Sequence, residues 1–194
     1  NEIKTVLSLG CNKEKIIFAN TIKSNQDIKF ANNSGVNFMT FDNEPELYKI
    51  AKNCPKAKVL LRIKVANVGS IVELSLKFGA DPDQAVFLLK KAKTLGLTPL
   101  GVSFHVGSQC MNVDNYIQAL EISSAIFKDA MENNLELTIL DIGGGFPIKH
   151  FDKDNIDFKA MASVIKKETK RLFHKNIKII AEPGRFFAGP AGIL

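Results

Sequence analysis

"PLGVSFHVGSQC", residues 99–110, decides how the rest of the chain is read. Leu100, Val102, Phe104 and Val106 mark a strand made for burial, because apolar and aromatic side chains recur along it. His105 interrupts that run, and a Gly-Ser turn follows at once. A core strand has no need of an imidazole, so the carboxyl end of this strand becomes a candidate site.

Working outward, the same pattern recurs. Apolar, β-branched or aromatic runs occur at 15–20, 36–41, 58–65, 137–142 and 177–182. Amphipathic stretches lie between them. The clearest is "DPDQAVFLLKKAKTLG" (81–96), with Asp81 as N-cap, Pro82 in the first turn, Gln84 completing a capping box and Gly96 as the stop. Ala85, Leu88, Leu89, Ala92 and Leu95 form its apolar stripe. Residues 25–33, 43–53, 112–134 and 155–173 read as further helices.

Near-continuous apolar strands alternating with helices predict an α/β fold with a covered parallel sheet. An open doubly wound sheet and a (β/α)8 barrel both satisfy that pattern. The unusual residues choose between them. Arg62 comes late in the third run, His105 ends the fourth, Gly143-Gly144-Gly145 ends the fifth, and Glu182-Pro183-Gly184-Arg185 ends the sixth. A barrel gathers every such end on one rim, whereas an open sheet gathers them mainly at its switch point. The expectation is a TIM-like barrel, represented here by roughly six strand–helix units.

Composition narrows the function. The 194 residues, 45% of them hydrophobic, suffice for a sizeable core. No apolar run approaches the ~18–20 residues of a membrane span, and the first residues lack a signal-peptide pattern. The net charge of +6 is spread along the chain, with no dense basic block, so no nucleic-acid or membrane partner is expected. Cys11, Cys54 and Cys110 have no CxxC spacing and read as free thiols in a reducing cytoplasm. His150 and His174 lack ligand-like spacing, so no metal is expected. Only Arg62, Arg171 and Arg185 are Arg among 26 basic residues, which suggests that a planar bidentate donor matters where one is used.

"LDIGGGFP" lets backbone come close to a ligand and turn its N–H groups toward an anion, although glycine turns often only turn. It is neither a Walker loop nor a GxGxxG fingerprint. In "AEPGRFF", Glu182 and Arg185 read either as an ion pair on the rim or as two contacts to different parts of one ligand. Ser108 adds a hydroxyl donor for a phosphate. His105 is either a satisfied core histidine or a flat surface for a planar ring. Taken together, the motifs describe a ligand with a phosphate, a flat face and a basic ring nitrogen. Pyridoxal 5'-phosphate fits that description.

These motifs, with "NEIKTVLSLG", "KIIFANTIKS", "MTFDNEPELYKIA", "AKVLLRI" and "LSLKFGA", resemble the pyridoxal-phosphate decarboxylases of the ornithine, lysine and diaminopimelate group, which have an alanine-racemase-type barrel. The resemblance covers essentially all 194 residues. "LSLKFGA" and "SFHVGS" are nearer to ornithine decarboxylase, while Gln109 echoes the diaminopimelate branch or bacterial lysine/ornithine enzymes. It implies that His105 stacks on the cofactor ring and that Glu182 pairs with its nitrogen. Ser108, Gly145, Gly184 and Arg185 would lie around the phosphate, with Gly143, Gly144 and Pro183 as further cofactor-binding positions. Arg62 would reach the cofactor region, and Glu2 matches an acidic residue near the family's site. Phe186 stands where relatives often have Tyr.

In that family the Schiff-base lysine lies on the first barrel strand, and a C-terminal β-domain of the partner subunit contributes a cysteine and an aspartate. The resemblance therefore implies that residues 1–194 are a partial pyridoxal-phosphate-binding barrel domain without the first barrel strands or the β-domain. Lys64 and Lys23 are the local candidates for a substitute lysine, against an expectation of solvated surface lysines. The implied activity of the intact protein is decarboxylation of ornithine or lysine to a diamine in polyamine biosynthesis, by a cytoplasmic homodimer acting on a small amino acid. Diaminopimelate decarboxylase is the alternative enzyme, and a non-catalytic decarboxylase-like regulator is the alternative of another class.

Overall fold

The computed structural model describes residues 1–66, 70, 77–149 and 157–192. Five parallel strands, β1 (Phe38–Phe41), β2 (Lys58–Arg62), β3 (Thr98–Ser103), β4 (Ile139–Asp141) and β5 (Lys178–Ile180), form one sheet. Their spatial order is β1-β2-β3-β4-β5, the order of the chain. The winding never reverses, so these strands have no doubly wound switch point; they follow the sequence of a barrel wall. The run at 15–20 shrinks from an expected strand to one bridge, Phe18 to Met39, preceded by a 3-10 turn at Lys13–Lys15.

The helices are α1 (Glu2–Ser8), α2 (Asn25–Asn33), α3 (Glu44–Asn53), α4 (Ala85–Thr94), α5 (Asp114–Glu132), α6 (Phe158–Leu172) and the short α7 (Gly184–Ala188), and α2 to α6 bury residues over one face of the sheet. Side-chain caps start three of them: Ser24, Asn43 and Asp157 accept from the N–H groups of Asp27, Glu46 and Ala160. The capping box expected for α4 does not form. Pro82–Gln84 is a 3-10 turn, and the Asp81 side chain makes no cap bond. Its Oδ1 instead lies 3.0 Å from Nζ of Lys64, because the end of β2 pairs with Ala80 and brings the ammonium alongside. The apolar stripe is as expected, with Ala85, Leu88, Leu89 and Ala92 buried and Gly96 in the left-handed region at φ 78°.

The sheet separates two apolar clusters. The large one lies under the helices and includes Met39, Phe41, Val59, Leu61, Val102, Phe104 and Leu140. On the other face Phe38, Leu60 and Ile139 pack with Ile17, Leu100 and Ile180. Two residues farther along that inner face, strand alternation delivers Arg62, Ser103 and Asp141, in register across β2, β3 and β4. The site stands on this row.

Arg171 has no part in it. It ties α6 to α5 through Glu168 and Glu121 as an exposed ion-pair set, which contributes little stability. All three cysteines are free.

Candidate functional site

The polar row begins on the strands. Asp141, the last residue of β4, is 1% exposed, and its Oδ1 accepts the N–H of Gly143 at 2.9 Å. β5 continues past Ile180, the register partner of Asp141, to Glu182, whose N–H donates to the Gly143 carbonyl at 2.8 Å. The two carboxyls meet on the inner face. Burial first, then the facing Glu182, pushes the Asp141 carboxyl up to about 8, against the opposing effects of the Gly143 hydrogen bond and Arg62.

Arg62 supplies the cation. Its guanidinium lies 5.2 Å from the Phe78 ring, and it interacts electrostatically with Glu182, Asp42 and Asp141. Burial lowers its pKa while those carboxyls work the other way. Asp42 is held at the end of β1 by donors from Gly79 N–H (3.0 Å) and Asn43 Nδ2 (2.7 Å).

His105 extends β3 by two residues. Burial, and secondarily the neighbouring Arg62 charge, pull its imidazole down to about 4, so it is neutral at pH 7. Nδ1 accepts the N–H of Gly107 at 3.0 Å, which assigns the ring hydrogen to Nε2.

The glycine triplet closes the arrangement. A Cβ at Gly143 would stand 2.0 Å from the Phe104 carbonyl oxygen, and one at Gly145 would stand 2.3 Å from that of Gly107. At Gly144 it would meet the Glu182 carbonyl oxygen at 2.6 Å and His105 Nε2 at 3.0 Å. The glycines therefore let three loop backbones converge, and both Gly143 and Gly145 have positive φ. Their carbonyls all face protein: Gly143 accepts from Glu182 N–H, Gly144 from the Tyr116 hydroxyl (3.0 Å), and Gly145 from Cys110 N–H (2.8 Å). Among the described residues, no acceptor engages the N–H groups of Gly144 and Gly145. Gln109 brackets the Ile148 backbone with a donor and an acceptor bond, both 2.9 Å, and so holds the chain just beyond the glycines.

The structure thus brings together Arg62, His105, the glycine triplet and Glu182. Half-buried Ser108 follows His105 on the same loop. Pro183 and Gly184 carry the chain into α7, where Arg185 is exposed in the first turn and makes no ion pair with Glu182 among the described residues. Phe186 packs against Phe158 with centroids 4.4 Å apart. Glu2 stands apart: it is exposed on α1, a helix with no buried residue, and no described contact joins it to the cluster.

The two substitute lysines part company. Lys64 is surface-exposed and paired with Asp81. Lys23 is not the solvated residue expected. Its side chain is buried, paired with Glu46 at 3.0 Å, and donates to the carbonyls of Asn20, Thr21 and Thr40. Both ammonium groups are paired with carboxylates in this arrangement. His174 is exposed, while His150 and the beginning of "LSLKFGA" lie outside the described residues.

Sequence reading missed Asp141 and Asp42. The signal for Asp141 is the period of two in "LTILDI": an acid two residues after Ile139 falls on the same inner face. A cavity of about 380 Å³ lined by Phe127, Leu135, Leu137, Phe173 and Ile177 lies near the opposite, amino ends of β4 and β5, away from this chemistry.

Residues 1–189 match the family model described as pyridoxal-dependent decarboxylase, pyridoxal binding domain. The chain is 44% identical to a probable ornithine decarboxylase of Dictyostelium discoideum over 193 residues, 100% of this chain and 41% of that protein. It is 41% identical to antizyme inhibitor 2 of Xenopus laevis, covering 98% of this chain and 42% of that one. The lysine decarboxylase of Selenomonas ruminantium superposes with a TM-score of 0.89 at 40% identity, covering 95% of this chain and 48% of that one. The arginine decarboxylase of Paramecium bursaria Chlorella virus gives 0.87 at 40% identity, covering 96% and 50%. The chain thus spans about two fifths to one half of these relatives' length. The barrel-wall winding, the convergent strand ends and a match over nearly the whole sequence agree, and the chain belongs to the pyridoxal-dependent decarboxylase family, in the part that forms its pyridoxal binding domain.

Proposed function

We propose that the protein carrying this chain is a pyridoxal-phosphate-dependent decarboxylase of a basic amino acid, ornithine in the first place and lysine in the second. The observation that carries this reading is the convergence of Arg62, His105, Asp141 and Glu182 beside a glycine loop with two N–H groups that no acceptor among the described residues engages.

The residues fit the cofactor's chemical parts. The N–H groups of Gly144 and Gly145, with the Ser108 hydroxyl and Arg185, offer donors to a phosphate. Neutral His105 offers an uncharged flat ring, with its tautomer set by Gly107. Glu182 offers a carboxylate to a ring nitrogen, and Arg62 balances the carboxyl charge beneath it. When bound, the cofactor supplies an electron sink for the carbanion left as the substrate carboxylate departs. His105 is then an orienting surface rather than an acid, because its imidazole stays neutral down to about pH 4. Consistent with the family, we place the protein in the cytoplasm as a homodimer feeding diamines to polyamine synthesis.

A regulatory reading has one observation in its favour: a relative named as an antizyme inhibitor matches as closely as enzymes do. A purely protein-binding role gives no reason to keep this cluster and loop together. The test is carboxyl-labelled substrate with the full-length protein. Carbon dioxide release from ornithine exceeding that from lysine or diaminopimelate is expected. No release, with no cofactor absorbance, would transfer the protein to the regulatory class.

A further inference from the structure

Asp141 faces Glu182 and is among the most deeply buried acids described. One oxygen is committed to Gly143 N–H, and the carboxyl is within hydrogen-bond reach of Glu182. Two carboxyls in such contact cannot comfortably both be charged, and burial selects the deeper one as the neutral partner. The groups facing the pair are Arg62 from β2, Asp42 after β1 and His105 after β3. Arg62 offsets one carboxylate, and His105 adds no charge. With Asp141 protonated the cluster keeps one net negative charge, the amount that a single ring N–H⁺ neutralises.

We propose that Asp141 is a positioning residue: a protonated acid that donates a hydrogen bond to Glu182 and holds that carboxylate toward the cofactor's ring nitrogen. This rests on the cofactor reading above. The hydrogen bonds form a chain, with Gly143 N–H donating to Asp141, Asp141 O–H donating to Glu182, and Glu182 left as an acceptor for the ring. No ionised Asp141 is needed. An amide of the same shape serves as well, since its oxygen accepts from Gly143 and its NH₂ donates to Glu182.

The experiment uses the full-length protein and three variants, D141N, D141A and E182A, with cofactor titration by absorbance and infrared spectra of the cofactor-free protein at neutral pH. D141A is expected to weaken cofactor binding about tenfold or more, the scale of a hydrogen bond to a charged group. D141N is expected to recover most of that loss. A protonated-carboxyl band is expected in the parent protein and is lost in D141N, which assigns the proton to Asp141, while the recovery of cofactor affinity in D141N but not D141A separates positioning from mere packing. Loss in D141N as deep as in D141A, or absence of the band, would overturn the assignment. So would unaltered cofactor affinity in D141A alongside a weakened E182A. If E182A itself binds the cofactor unchanged, Glu182 has no role at the ring nitrogen and the proposal falls with it; absence of cofactor binding by the parent protein would sink the cofactor reading instead. D141N keeps both hydrogen bonds, so it folds whichever answer emerges.

Discussion

Leu60 and Arg62 sit two residues apart on one face of one strand, and they belong to different parts of the molecule. Leu60 is fully buried and packs with Phe38 and Ile139 into a small apolar layer. Arg62 joins Asp141, Glu182 and His105 in a layer that is polar throughout. Both layers come from the same period of two on the same strands, so the fold does not distinguish them. One strand pattern thus provides a floor that holds the strands together and, one step up, a set of charges that needs a ligand to complete it. The difference teaches that the site is a continuation of the core with the chemistry changed.

The most severe way to break the contrast is to carry the upper chemistry into the lower layer. Leu60→Glu buries a carboxylate in the apolar layer between Phe38 and Ile139, at a cost on the order of several kcal/mol, comparable to the whole stability of a domain. The expected result is loss of the cooperative urea transition.

A smaller loss is expected where the polar layer depends on backbone convergence. Gly143→Ala places a methyl 2.0 Å from the Phe104 carbonyl oxygen at a left-handed φ. It should cost about 3 kcal/mol, at the upper end for overpacking, and weaken cofactor binding in the folded fraction. A urea melt paired with a cofactor titration reads both. Full retention of each would mean that the loops separate without penalty.

The pH dependence sharpens the comparison, because only the polar layer titrates. Asp141 is raised to about 8, so its contribution is complete below the unfolded value near 4 and is lost as pH rises through 8. His105 is lowered to about 4, so its contribution is complete above its unfolded value near 6.5 and is lost as pH falls toward 4. The two slopes oppose each other between about pH 4 and 6.5, while Asp141 acts alone from about 6.5 to 8, at no more than about 1.4 kcal/mol per pH unit. Cofactor-free protein should lose stability over that upper window, and D141N should abolish the decline. A parent profile rising from pH 6.5 to 8 would contradict the protonated Asp141.

The smallest effect concerns Arg62. Its charge helps depress His105, so Arg62→Met should shift the imidazole titration upward while leaving most of the burial effect, as read by NMR of the ring protons. An unchanged titration would separate the two residues electrostatically.

Much of this was legible from residues alone. Polar side chains on successive strand ends announced the rim, and the 85–95 stripe gave α4 its buried face. What stayed hidden depends on partners distant in sequence. Asp81 reads as a cap until Lys64 is beside it. Lys23 reads as a surface lysine until Glu46, twenty-three positions on, buries with it. The glycine triplet reads as a ligand cradle, but its lack of Cβ atoms is set first by the carbonyls of Phe104, Gly107 and Glu182. Asp141 was overlooked because an acid within an apolar run reads as a strand end until its face is counted.

The chain-order sheet has a consequence for biogenesis. Each strand pairs with the one just before it, so the wall grows by addition at a single edge as the polypeptide emerges, and every new pairing closes a loop of modest length. Arg62 and His105 take their places early in that growth. The Glu182 N–H reaches Gly143 only once β5 has docked. On the role proposed for Glu182, cofactor capture waits for β5, because a ribosome-bound intermediate that stops at β4 carries the glycine loop without the carboxylate assigned to the ring.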